Sequence, residues 1–204
     1  MWACGPTLKN LLFIGGIPFS EGQKSRCRIR AASDCRQVWP KSSRLADPTT
    51  LAHYLDLLEG AGMACGLPKY MGQVVRQRAS SPKLQVYNNA LLGCHWLAQG
   101  LGLAQAQARP EVWGRLVESA VGADLLARQL KHSIGQPQVF YWNKGQKEVD
   151  YILNAGGELW ALEVKSGKAP GKLPGLEAFC KLYPEARPMI VGSGGMDLET
   201  WLMR

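Results

Sequence analysis

A chain of 204 residues exceeds the roughly 150 residues of a common domain by about a third, leaving room for one full domain and a smaller appendage. With 46% hydrophobic residues, 20% charged residues and seven Trp, the composition supports a packed core and excludes a natively unfolded or collagen-like chain. The net charge of +8 is uneven: residues 1–50 hold eight Lys/Arg against three Asp/Glu and residues 51–204 hold sixteen against thirteen, so most of the surplus reads as solvated charge on a weakly patterned segment.

The longest apolar run, Leu11 to Phe19, is broken by Gly15, Gly16 and Pro18 and is far shorter than the ~20 residues of a membrane-spanning helix. With one flanking Lys and no small-x-small cleavage site it makes a poor secretory signal, so no membrane association is expected and the protein is expected to be cytoplasmic. Cys4, Cys27, Cys35, Cys65, Cys94 and Cys180 form no regular framework and read as reduced thiols; Cys94 beside His95 is too little for zinc. Residues 20–48 carry neither a strand nor a helix period, so residues 1–48 are read as an irregular or truncated N-terminal segment. Gly16 to Gly22 followed by Gln23 and Lys24 does not meet the phosphate-loop spacing, so no ATP site is expected in this chain.

Order is expected from Asp47-Pro48-Thr49-Thr50, where either Thr can cap a helix with Leu51, Tyr54, Leu55 and Leu58 on one face and a stop at Gly60 or Gly62. Extended pieces at Leu67–Tyr70 and Gln73–Arg76 follow, as in a winged-helix module. His53, Asp56 and Glu59 on the outer face of the helix favour packing over reading of DNA. Ser80-Ser81-Pro82 punctuates the chain, Lys83 to Tyr87 alternates as a strand, and Asn88 to Gln99 resumes helical spacing. Pro110 opens the longest helix, near Glu111 to His132, with Gly135 and Pro137 beyond it. Strands are then expected at Gln138–Trp142, Glu148–Asn154 and Glu158–Lys165, a helix at Leu173–Tyr183, a strand at Pro188–Gly192 and a short helix reaching Trp201. That order indicates an α/β domain with a mixed sheet.

Gly156-Gly157 between two alternating runs marks a two-residue hairpin with a primed turn. The register then pairs Ala155 with Glu158, Leu153 with Trp160, Tyr151 with Leu162 and Val149 with Val164 on one apolar face. On the other face it sets Asp150 opposite Glu163 and Glu148 opposite Lys165. Two carboxylates about 5 Å apart across strands repel each other and call for compensation. A Mg2+ ion bound by both would supply it, with Lys165 within reach of a metal-bound water or a phosphate oxygen. A solvated strand end neutralised by Lys165 is the alternative. Glu118 shares an apolar stripe with Val121 and Leu125, where an unpaired carboxylate would be costly; an ordinary helix-surface Glu is the alternative.

Val149-Asp150-Tyr151-Ile152-Leu153, followed by Leu159-Trp160-Ala161-Leu162-Glu163-Val164-Lys165-Ser166, resembles the motif of the PD-(D/E)XK nuclease superfamily. It resembles more closely the C-terminal region, a domain of unknown function with a restriction-endonuclease-like core, of a bacterial and archaeal family of AAA-type ATPases. The resemblance covers about residues 49–204 and includes the Thr49–Glu59 helix, Ser81-Pro82-Lys83-Leu84, Gly114 to Glu118, Val139 to Trp142 and Arg187 to Gly195. It implies a restriction-endonuclease-like mixed sheet flanked by helices (106–204), preceded by a partial winged-helix-like segment (49–105). By position it implies Asp150, Glu163 and the Val164 carbonyl on Mg2+, Lys165 orienting the attacking water, and Glu118 as the outer acid. The ATPase part and its phosphate loop are absent, and Asn88 and Ala90 stand where many relatives show Asp and Gly.

Two readings of function follow. One is a metal-dependent nuclease acting on nucleic acid, with Lys165, Lys168 and Lys172 contacting phosphates. The other is a non-catalytic DNA- or protein-binding module left from a truncated ATP-binding protein, since a fold does not dictate a function.

Overall fold

Residues 48–72, 81–132, 139–167 and 171–203 are described in a computed structural model of the protein. Residues 1–47 and the expected extended piece Gln73–Arg76 lie outside the described residues.

The described residues begin with α1 (Pro48–Gly60), then β1 (Ala64–Leu67) and β2 (Lys83–Val86), which pair antiparallel with Cys65 opposite Gln85. The helix forms where expected, but its stripe is poorly covered: Tyr54 and Leu58 are exposed among the described residues. Two helices follow, α2 (Ala90–Ala98) and α3 (Leu103–Gln107). The latter is a five-residue helix of Leu, Ala and Gln, too short to show a period.

The long helix α4 (Pro110–His132) starts on its proline, which has no N–H to lose in the first turn. Strands β3 (Val139–Lys144), β4 (Lys147–Ala155) and β5 (Glu158–Lys165) form an antiparallel meander. Helix α5 (Pro174–Leu182) then crosses over to β6 (Arg187–Gly192), which lies parallel to β5, and α6 (Leu198–Leu202) closes the chain. The sheet order is β3-β4-β5-β6, so it is mixed, as the sequence indicates.

One helix packs on each face. Val117, Val121 and Leu125 of α4 meet Val139, Tyr141, Tyr151, Leu162 and Val164. Leu176 and Phe179 of α5 meet Phe140, Trp142, Val149, Ile152, Leu159 and Ala161. Phe179 is fully buried, worth about 1.5–3 kcal/mol of apolar burial, with Trp142 and Tyr70 edge-on to its ring.

At the hairpin, Gly156 and Gly157 both have positive φ (61° and 82°), which a type I′ turn requires. The β4–β5 ladder runs from Ala155↔Glu158 to Tyr151↔Leu162 in the expected register. Beyond Tyr151 the expectation fails. On the β3 side the register shifts between Phe140↔Ile152 and Trp142↔Val149, so Asp150 and Tyr151 together oppose Tyr141. This is a β-bulge, and one extra residue reverses which face the earlier side chains occupy. Val149 therefore packs with Ile152 on the α5 face rather than with Tyr151 and Val164. On the β5 side the ladder stops at Tyr151↔Leu162, so neither Glu148 with Lys165 nor Asp150 with Glu163 is a ladder pair, while on the β3 side Glu148 pairs with Asn143.

Candidate functional site

The bulge sets Asp150 at the point where the β4–β5 ladder has ended. Its Oδ2 accepts a hydrogen bond from the Val164 N–H at 2.8 Å, so the side chain takes a place a ladder bond would otherwise fill. A strand residue sends its N–H and C=O to the same side, so the Val164 carbonyl also leaves β5 toward this gap. Burial, with the charges of Glu118 and Glu163, pushes the Asp150 carboxyl up to about 7, although the Val164 N–H and Lys83 act against the rise. Glu118, Asp150 and Glu163 thus converge on one region, from α4, the bulge in β4 and the end of β5.

Two lysines answer them. Lys165 Nζ donates to Glu163 Oε1 at 2.6 Å. Burial works to lower its pKa, but the hydrogen bond and charge of Glu163, with Asp150 and Glu118 behind, outweigh it and hold the pKa above the ordinary value. Lys83, at the start of β2, was not among the residues singled out by sequence. Its Nζ lies 2.6 Å from Glu118 Oε1 and 3.5 Å from Glu148 Oε1, donates to the Asp150 carbonyl at 3.4 Å, and sits 5.2 Å from the centre of the Tyr151 ring. Burial again opposes its charge, and Glu118 first, then Asp150 and Glu148, raise its pKa nonetheless. Glu118 therefore has the partner its place on an apolar stripe demands. Among the described residues the four carboxyl groups of Glu118, Glu148, Asp150 and Glu163 are met by two ammonium groups, Lys83 and Lys165, so carboxyl groups outnumber cations in the cluster.

A buried polar frame holds the cluster. The Tyr151 hydroxyl, on a fully buried ring, lies 2.9 Å from both Gln85 Oε1 and the Glu118 carbonyl, its one proton serving one acceptor at a time. Gln85 Nε2 donates to the Ser119 carbonyl at 3.0 Å and to the Val86 carbonyl at 2.9 Å. Gly122 of α4 makes room for this contact, since a Cβ there would lie 2.3 Å from Gln85 Oε1 and 2.4 Å from the Tyr151 oxygen. The Tyr141 hydroxyl donates to the Ser81 carbonyl at 2.6 Å, tying the residues before Lys83 to the strand opposite the bulge.

The remaining sequence candidates stand apart. Lys172 is exposed and makes no hydrogen bond or ion pair among the described residues, while Lys168 lies outside them. Cys94 and His95 are exposed, and no three His, Cys, Asp or Glu side chains gather as a metal-holding group among the described residues. A cation at the cluster would therefore rest on Asp150 and Glu163 with backbone or water oxygens. Hard-oxygen donors of that kind suit Mg2+.

Residues 113–201 match the family model described as "Domain of unknown function (DUF4143)". That span runs from α4 through α6 and contains Glu118, Asp150, Glu163 and Lys165; Lys83 lies upstream of it. No curated protein matches the chain. Among solved structures, that of protein VC1899 from Vibrio cholerae is similar at 16% identity over 70% of this chain and 40% of that one, with a TM-score of 0.26. The chain thus spans about two fifths of that protein's length. No described helix is long and apolar enough to cross a membrane.

Proposed function

We propose that residues 106–204 form a restriction-endonuclease-like domain that hydrolyses phosphodiester bonds in nucleic acid with Mg2+, preceded by a partial winged-helix-like segment at 49–105, in a cytoplasmic protein of the AAA-associated kind. The observation that carries the reading is the convergence of Glu118 and Glu163 on a buried Asp150: burial first, and then their charges, push a carboxyl that accepts a backbone N–H up to about 7. A folded protein tolerates such repulsion where a cation is to be held.

In this reading Asp150, Glu163 and the Val164 carbonyl hold the metal, and the bulge serves to aim Asp150 at Val164 rather than away from it. Bound Mg2+ would polarise a phosphoryl oxygen and lower the pKa of a coordinated water. Lys165, held protonated by Glu163, donates hydrogen bonds to the attacking water or to the phosphorane oxygens, and its raised pKa argues against its taking a proton. Glu118 contributes negative charge from the outer side, with Lys83 fixing its carboxylate. A non-catalytic DNA- or protein-binding module left from a truncated ATP-binding protein is the second reading, since the matching domain carries no assigned activity.

The test is hydrolysis of end-labelled single-stranded DNA, duplex DNA and RNA by the purified chain in millimolar Mg2+ and in EDTA. The nuclease reading expects cleavage of at least one substrate in Mg2+ only, lost in Asp150→Asn, Glu163→Gln and Lys165→Met. Intact substrates under all conditions, or cleavage surviving in Asp150→Asn, would overturn it.

A further inference from the structure

The strand end that carries Lys165 opens into a cleft of about 320 Å3, within the size range of small-molecule sites. Trp113 of α4, Lys165 and Ser166 at and just past the end of β5, and Ser193 and Leu198 beyond β6 line it together. The cleft is built on paired backbone. The Ser193 N–H donates to the Lys165 carbonyl at 2.8 Å, the Gly192 N–H to the Met196 carbonyl at 2.7 Å, and the Met196 N–H to the Ile190 carbonyl at 2.8 Å.

Its chemistry is mixed in a particular way. An ammonium has three protons, and Lys165 uses one on Glu163, so two remain for a ligand. Two hydroxyls, those of Ser166 and Ser193, share the lining with it, and an indole and Leu198 contribute apolar surface. The one carboxylate on the lining, Asp197, is turned to its own helix, where Oδ2 accepts from the Thr200 N–H at 3.0 Å, so its charge is engaged at the start of α6. A cation and hydroxyls beside an aromatic surface match a nucleotide: oxygens of a phosphate on one side, a base on the other.

We propose that this cleft is the subsite for the nucleotide adjoining the scissile phosphate and that it selects single-stranded nucleic acid, with the base against Trp113 and the flanking phosphate among Lys165, Ser166 and Ser193. The inference rests on the phosphodiesterase reading of the neighbouring carboxylates. In a duplex both faces of a base are already stacked on its neighbours, so only an unpaired base can offer its face to an indole.

The experiment is fluorescence-anisotropy titration of a labelled oligothymidine strand, of the same strand annealed to oligoadenine, and competition by thymidine monophosphate, all in EDTA. Trp113→Leu removes the aromatic face while retaining apolar bulk, and Ser193→Glu adds a negative charge to the phosphate side. The parent is expected to bind the strand about tenfold more tightly than the duplex, and each variant to weaken strand binding about tenfold while leaving duplex binding unchanged. Should Trp113→Leu fail to fold, Ser193→Glu decides alone. Equal affinity for strand and duplex, variants that bind the strand like the parent, or a mononucleotide that competes as strongly as the strand would overturn the subsite. Magnesium-dependent hydrolysis by the parent separates the two claims: hydrolysis with unchanged binding by the variants removes the subsite alone. Weakened strand binding without hydrolysis keeps the subsite as a binding site and removes the phosphodiesterase reading.

Discussion

Replacing Asp150 by Asn should stabilise the metal-free protein at neutral and alkaline pH. An acid whose folded-state pKa stands near 7 against an ordinary 3.8 holds its proton more tightly when folded. Below about pH 4 the carboxyl is protonated in both states and contributes no difference. Between about pH 4 and 7 the unfolded chain ionises first, and stability falls by up to about 1.4 kcal/mol per pH unit; above about 7 the loss is complete. The interval from 3.8 to about 7 sets a ceiling of about 4 kcal/mol on the total. Asn keeps an oxygen for the Val164 N–H and removes both the buried charge and its repulsion from Glu118 and Glu163. At about pH 8 in EDTA the variant should therefore be more stable by about 2–4 kcal/mol, and the advantage should vanish near pH 4. Urea denaturation of both proteins across this range measures it, and taking the difference cancels the other titrating groups. A parent and variant with parallel pH profiles would refute the crowding of carboxylates around Asp150.

Other consequences follow from the same contacts. Lys83→Met leaves Glu118 and Glu148 without their cation and should cost about 1–3 kcal/mol by chemical denaturation, with about half recovered in Lys83→Met/Glu118→Gln, because the stranded carboxylate is then gone. Since the Lys83 pKa lies above its ordinary 10.5, that contribution is fully present through neutral pH and should be lost only as pH rises through the folded-state value. Gly122→Ala drives a methyl into Gln85 and Tyr151 and should lower stability by about 1–3 kcal/mol, read as a reduced thermal midpoint. Lys165→Met should abolish hydrolysis while leaving the magnesium-induced rise in thermal midpoint in place, whereas Glu163→Gln should remove both.

The hairpin was legible because Gly156-Gly157 fixes its own geometry: two residues at positive φ set the register of everything near the turn. Five residues away from that turn, local signals lose control. The bulge at Asp150 and Tyr151 is set by packing that the hairpin sequence does not contain: Tyr151 must reach Gln85 and the Glu118 carbonyl on the α4 face, while Val149 must fill the α5 face beside Phe140 and Trp142. The juxtaposition of Asp150 and Glu163 was readable as a charge conflict, yet the strict alternation that suggested it is broken at that point. Lys83 lies in the stretch Ser81–Leu84 that resembles the family, and its sequence neighbourhood does not single it out. Its importance depends on partners 35 and 65 residues away, and no spacing rule links a strand-opening lysine to a carboxylate on a later helix. The apolar stripe of α4 did mark Glu118 as a carboxylate needing a partner, because burial of one face is a local pattern.

The most direct measurement is the titration of the Asp150 carboxyl carbon by NMR, with and without Mg2+. The account predicts an apo midpoint near 7 that falls by more than about two pH units in millimolar Mg2+, since a bound divalent ion favours the ionised carboxylate. A midpoint near 4 in the apo protein, or one near 7 that Mg2+ does not move, would contradict the claim that these carboxylates are crowded to hold a metal.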